Sequence, residues 1–162
     1  MKGKDAVEVW IRHLIFSIIN KDKPVSTLCI TGKNIQDKST QLFHFPPINT
    51  QLAKNRLSEL ISIFKKGHNE PIPWFSKSSL TYVTKYEKKT RLNDVKASWN
   101  DKEIRSDMII PGDVSDPYIS LIFNESIIES EEFAKTALTI LSPFLKKSDS
   151  NDNMYHVKEI KK

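Results

Sequence analysis

Three groups of residues in this sequence have types and spacings that could support chemistry. The first is Glu87-Lys88-Lys89. A Glu-x-Lys tripeptide is one half of a restriction-type nuclease site, where carboxylates hold a divalent metal that activates water and the lysine orients that water. The other half, an acidic residue on a preceding strand, has no counterpart, because the residues before Glu87 read as a polar helix. In a chain with 28% charged residues such a tripeptide arises by chance, and a solvated helix face explains it. The second group is Asp107, Asp113 and Asp116, which resemble a cation loop but lack calcium-loop spacing; Asp116 directly before Pro117 is explained by helix capping. The third is a basic stripe of Lys85, Lys88, Lys89, Arg91 and Lys96, with Lys65 and Lys66, which could meet the phosphates of a nucleic acid. The simpler account of the stripe is again a solvated helix face.

Other site chemistries find little support. The histidines are His13, His44, His68 and His156. None stands at helical spacing to another or beside a carboxylate cluster, so zinc is not indicated. His13 borders the apolar face of a helix and reads as a packed or surface residue rather than a base. Cys29 is the only cysteine, which leaves neither a disulfide frame nor a thiolate metal site. No serine sits in a Gly-x-Ser-x-Gly elbow or a suitable Ser-x-x-Lys. Four glycines argue against a glycine-rich phosphate loop. The aromatics Trp10, Trp74, Phe75 and Trp99 fit a core better than a base-stacking platform. The net charge of +5 permits contact with nucleic acid or an acidic partner without establishing it. No apolar run approaches a membrane span and no apolar leader precedes the first helix, so the chain reads as cytoplasmic.

The elements that must position these residues follow from periodicity. At 162 residues the length suits one domain. A helix over residues 5–20 carries Val7, Trp10, Ile11, Leu14, Ile15 and Ile18 on a broad face, with Asp5 as cap and Glu8 paired to Arg12. Strands follow at 25–31 and 40–45 and can form a hairpin. The centre of the core is expected at 43–75: a helix capped by Asn49 or Thr50, with Leu52, Ala53, Leu57, Leu60, Ile61 and Phe64 as its stripe, Gly67 as C-cap, and proline corners at 45–47 and 71–75. A further helix spans 77–100 and breaks in its polar middle. Residues 101–115 read as irregular, with turns at 101–103 and 111–113 and Met108-Ile109-Ile110 as a short strand or buried loop. Asp116-Pro117 opens a short helix with Tyr118, Leu121, Ile122 and Phe123 as its apolar face. Ser130 opens the last helix, which Pro143 kinks or ends. From 148 to 162 the chain reads as a polar, flexible tail, in which Tyr155, His156 and Val157 can dock back weakly. The expectation is an α+β fold, helix-rich, with a small hairpin or sheet.

The order of segments resembles the C-terminal end of the exodeoxyribonuclease V gamma chain (RecC) family. The matching pieces are Trp10-Ile11-Arg12-His13-Leu14 before a strand, then Phe45-Pro46-Pro47, Phe64-Lys65-Lys66-Gly67, and the corner from Pro71 to Ser78. Ala97-Ser98-Trp99, the segment Gly112-Asp113 to Asp116-Pro117-Tyr118, and Leu141 with Pro143-Phe144-Leu145 complete the series. Each piece is weak; the order is the specific feature, and it spans most of 7–147.

The resemblance implies a domain over 5–147 that is part of a far longer chain, with Met1 not its native start. It implies a restriction-nuclease-like fold whose catalytic strands would precede the first helix, and hence no catalytic role for this part. The function it implies is a scaffold and subunit-docking domain of the RecBCD-type helicase–nuclease in double-strand-break repair. Partners would be the RecD (alpha) and RecB (beta) subunits, with double-stranded DNA ends and separated single strands in the full complex. No cofactor belongs to this part; ATP and magnesium would serve the other subunits. The alternatives are a stand-alone DNA-binding domain using the basic stripe, or a metal-dependent nuclease using Glu87 and Lys89.

Overall fold

The computed structural model of the protein describes residues 3–21, 23–30, 40–85, 90–105, 108–145 and 156–160. In chain order they form α1 (Gly3–Ile19), β1 (Thr27–Ile30), β2 (Thr40–Phe45), α2 (Thr50–Gly67), α3 (Ser76–Thr84) and α4 (Arg91–Trp99). There follow β3 (Lys102–Arg105), β4 (Met108–Ile110), α5 (Pro117–Ile122), a short 3-10 helix (Glu125–Glu129), α6 (Glu131–Leu145) and β5 (His156–Ile160). The class is α+β and helix-rich. Where the length suggested one core, the chain divides into two compact units, one built on Asp5–Lys65 with residues from Phe144 onward, the other on Lys66–Pro143.

In the first unit β1 and β2 pair antiparallel, Thr27 opposite Phe45 and Cys29 opposite Phe43, as the hairpin expectation requires. β5 pairs antiparallel with β2 and places Val157 opposite Phe43, so the sheet order is β1-β2-β5. α1 starts at Gly3, which leaves Asp5 in its first turn rather than at the cap. Its buried face is also rotated from the expected one: Ala6, Trp10, His13, Leu14 and Ser17 are buried while Ile15 is turned out. Two polar residues sit on that face, each with one side-chain atom engaged. Ser17 Oγ donates to the His13 carbonyl at 2.8 Å, and His13 Nδ1 lies 2.9 Å from Thr27 Oγ1. The His13 ring stacks on Trp10 at 5.6 Å and is tilted against Phe45 at 5.7 Å.

α2 departs further from expectation. Asn49 caps it, its Oδ1 accepting from the backbone N–H of Gln51 at 2.8 Å and of Leu52 at 3.4 Å. Yet only Ala53 of its stripe is fully buried, and Phe64 is 68% exposed. The helix is amphipathic without being the centre of a core. Gly67 is its last helical residue and not a left-handed cap; the turn closes instead through the N–H groups of Asn69 and Glu70 on the Lys66 carbonyl.

In the second unit the proline corner ends in Phe75, the hub of a buried cluster with Val95, Trp99, Ile128 and Phe133. Phe75 meets Trp99 edge-on at 4.8 Å and Phe123 at 5.2 Å, and stacks on Phe133 at 5.9 Å. The anticipated helix over 77–100 is two helices, α3 and α4, held together by a 2.7 Å hydrogen bond between Thr81 Oγ1 and Ser98 Oγ. Of the two readings open for 108–110 the strand holds: it is β4, and it pairs as a hairpin with β3, where a turn was expected. α5 is capped by Asp116 with Pro117 at its first position, as read from the sequence. Of its expected apolar face only Phe123 packs: it faces the cluster together with Ile119, while Tyr118, Leu121 and Ile122 are exposed. Ser130 Oγ accepts from the Phe133 N–H at 3.1 Å and opens α6, which runs two residues beyond Pro143.

Candidate functional site

The acidic group expected to resemble a cation loop is occupied by structural work. Asp113 is buried, and its carboxylate reaches the N-terminus of α3, 35 residues away in sequence. One oxygen accepts from the Ser78 N–H and the Ser78 hydroxyl, each at 2.7 Å, and the other from the Lys77 N–H at 3.2 Å. Those N–H groups have no partner inside the helix, and a negative charge there also opposes the positive end of its dipole. Asp113 is therefore a helix cap supplied from a distant loop. Asp116 caps α5, accepting from Tyr118 N–H at 2.9 Å. Asp107 lies outside the described residues.

A carboxylate the sequence did not single out organises the same loop. Asp101 accepts from the Ser115 hydroxyl and from the Gly112 N–H. These two donors, in that order, hold its carboxyl below the ordinary aspartate value, with the Lys77 charge helping. Gly112 must be glycine: a Cβ there would collide with the Trp99 carbonyl oxygen and the Asn100 backbone. The loop thereby hands Asp113 to α3 while pairing its own N–H groups, Asp113 N–H to the Ser98 carbonyl and Val114 N–H to that of Trp99. A Gly-Asp pair after a strand is the only sequence signal of this arrangement.

Among the described members of the basic stripe, Lys66, Lys85, Arg91 and Lys96 meet groups of the chain itself. Lys85 Nζ lies 3.3 Å from Asp94 Oδ2. Lys96 Nζ lies 2.7 Å from Glu129 and 3.6 Å from Glu125, and these carboxylates, Glu129 foremost, hold its ammonium above the ordinary lysine value. The Arg91 guanidinium sits 4.5 Å over the centre of the Tyr82 ring, a cation–π contact. Lys66 is likewise shared by Glu132 and Glu70, at 3.2 Å each. Lys88 and Lys89, with Glu87, lie outside the described residues.

His13 is buried, and burial pushes its pKa below the ordinary histidine value, with His44 acting in the same direction. Nε2 has no hydrogen-bond partner of normal geometry, so the opposing pull of the Pro46 carbonyl is weak and desolvation wins. Such a ring is neutral packing material bridging α1 to β1, not an exposed base. Among the described residues no three His, Cys, Asp or Glu side chains lie close enough to hold a metal ion. No described helix is long and apolar enough to cross a membrane.

Searches of curated proteins and of solved structures find no match. A family model does match: the RecC C-terminal domain, over residues 1–87, which takes in α1, β1, β2, α2 and α3. That is more than half of the chain and includes Phe45-Pro46-Pro47 and the proline corner ending in Phe75. The chain belongs to the RecC C-terminal domain family.

Proposed function

We propose that this chain serves as a non-catalytic scaffold and subunit-docking domain of a RecBCD-type helicase–nuclease in double-strand-break repair by homologous recombination. The observation that carries the reading is the family match over 1–87. The geometry is compatible with it: the buried Asp113 caps a helix, and Lys66, Lys85, Arg91 and Lys96 of the basic stripe are held by acidic or aromatic groups of the same unit. A restriction-nuclease-like ancestry is part of the reading and rests on the order of motifs alone. The partners are the RecD and RecB subunits, acting in the cytoplasm on duplex ends and separated strands. ATP and magnesium belong to those subunits.

Co-purification tests the reading. Tagged chain, mixed with the RecD-type subunit of the same organism, is expected to retain it through a salt wash. Absence of retention by folded chain would overturn docking. Magnesium-dependent degradation of linear DNA by the chain alone, abolished in Glu87→Ala, would overturn the non-catalytic role.

A further inference from the structure

The register of the first unit's sheet brings together two histidines that stand far apart in the chain. β5 runs antiparallel to β2 with His156 opposite His44, Val157 opposite Phe43 and Lys158 opposite Leu42. On the other side of β2, Leu28 of β1 stands opposite His44 and Ile30 opposite Leu42. Residues directly opposite in an antiparallel pair share a face, and successive residues alternate between faces. Leu28, His44 and His156 therefore form one row across the three strands, and Ile30, Leu42 and Lys158 form the next.

The neighbours of β2 show which face this is. Phe45 is buried and stacks on Trp10 of α1 at 6.0 Å, while Thr27, its opposite in β1, meets His13 Nδ1. α1 thus covers the face of Phe45, and the row of His44 lies on the other. Leu28, at the end of that row, is 64% exposed. His13 belongs to the covered face and stands apart from the pair. Cβ atoms of residues directly opposite are about 4.5–5.5 Å apart. Two imidazoles rooted at that separation can close on one ion at the roughly 2 Å of a metal–nitrogen bond. The one charge that the three strands place on this face is Lys158, which weakens a cation's binding without removing a donor.

We propose that the cross-strand pair His44 and His156 holds a divalent late transition-metal ion, copper(II) ahead of nickel(II) and zinc(II), and so clips β5 to β2. Imidazole is the donor these ions share, and copper(II) heads their order of affinity. Two protein nitrogens leave the remaining positions to water, which suits a tetragonal copper(II) site and not the closed four-ligand site of structural zinc. β5 lies at the edge of the sheet and pairs with β2 alone. An ion that binds only when β5 is in register stabilises that register by mass action. The site is independent of the docking reading above.

The test is titration of copper(II) chloride into the whole chain, free of any affinity tag, at about pH 7.5, where neutral imidazole prevails. NMR of the imidazole protons is the readout. Substoichiometric copper(II) is expected to broaden the His44 and His156 resonances together and before those of His68. His44→Gln is expected to weaken binding by at least about tenfold and to abolish the early broadening at His156. Loss of a ligand costs no less than the roughly 10–100-fold typical of losing a second-shell partner. His156→Gln is expected to do the same at His44, and it carries the test should His44→Gln lose its native circular dichroism. His68→Gln should leave the affinity unchanged. Equal broadening at His68, or a folded His44→Gln of unchanged affinity, would overturn the site, the ion then resting adventitiously on single histidines. Copper(II) should also slow hydrogen exchange of the amides of 156–160 in the wild type and not in His156→Gln. Exchange indifferent to the bound ion would overturn the clip.

Discussion

Truncating Asp113 is the sharpest test of what its carboxylate does. Asp113→Ala removes the acceptor of three donors: the Lys77 N–H, the Ser78 N–H and the Ser78 hydroxyl. Ser78 is fully buried, so its two donors cannot turn to bulk water. A buried donor left unsatisfied costs about 1–3 kcal/mol. The Ser78 hydroxyl can rotate to a carbonyl of its own turn, which recovers part of its share. About 3 kcal/mol is the expected loss, a large fraction of the roughly 5–15 kcal/mol that holds a domain folded. Asp116→Ala is the internal comparison. It also caps a helix, but its site is exposed, water replaces the lost acceptor, and about 1 kcal/mol is expected. Urea unfolding followed by tryptophan fluorescence, which Trp74 and Trp99 report for this unit, gives both values. The cap reading is refuted if Asp113→Ala costs no more than Asp116→Ala. It is also refuted if millimolar magnesium or calcium raises the melting temperature of the wild type but not of Asp113→Ala, because the carboxylate would then be a cation ligand.

Three further outcomes are expected. His13 has a folded-state pKa below its ordinary 6.5, so the unfolded chain binds more protons. Its contribution to stability is complete above about pH 6.5 and is lost as pH falls below that toward the depressed value, with a slope of at most about 1.4 kcal/mol per pH unit. His13→Gln should remove that part of the slope; an unchanged acid limb in urea titrations would mean His13 is not its source. Gly112→Ala should cost about 1–3 kcal/mol, the range for forcing extra volume into a packed site, because the new methyl meets backbone on the Trp99 and Asn100 side; a neutral result in thermal denaturation would contradict the tight loop. Finally, any affinity for single-stranded DNA should fall with salt and weaken in Lys88→Glu with Lys89→Glu, while Lys96→Ala changes it little, since Glu129 and Glu125 already hold that ammonium. An equal loss in Lys96→Ala, read by fluorescence anisotropy, would show that the ion pairs open to phosphate.

Local signals were legible wherever the decision is local. Asn49, Asp116 and Ser130 cap helices because a side-chain oxygen two or three residues ahead of free N–H groups needs nothing else from the fold. The same holds for the Glu8–Arg12 pair and the hairpin of β1 and β2. What covers a face was not legible. The stripe of α2 is regular, yet only Ala53 is fully buried, because periodicity defines a face and says nothing of what lies on it. In α5 the helix is only six residues long, and Phe75 decides which side packs by meeting Phe123 at 5.2 Å. β3 was hidden because Lys102-Glu103-Ile104-Arg105 lacks apolar alternation; its pairing with β4 defines it.

The candidate sites divide along the same line. Spacing made Asp113 and Asp116 look like one acidic loop, but a carboxylate's role is set by the donors it meets. Asp113 meets the start of a helix 35 residues away, while Asp116 meets the helix it precedes. The basic stripe looked continuous because its members are close in sequence; their carboxylates come from elsewhere, Asp94 for Lys85 and Glu125 and Glu129 for Lys96. Each such pairing takes a cation out of the set a phosphate chain could meet without displacing a carboxylate. The converse case is the end of α1, where sequence periodicity counted Ile15 as core and the fold turns it out beside Phe16 and Ile19. The same helix buries Trp10, Leu14 and an internally bonded Ser17 on its other side, and the run from Leu14 to Ile19 holds no polar break that would tell the two faces apart.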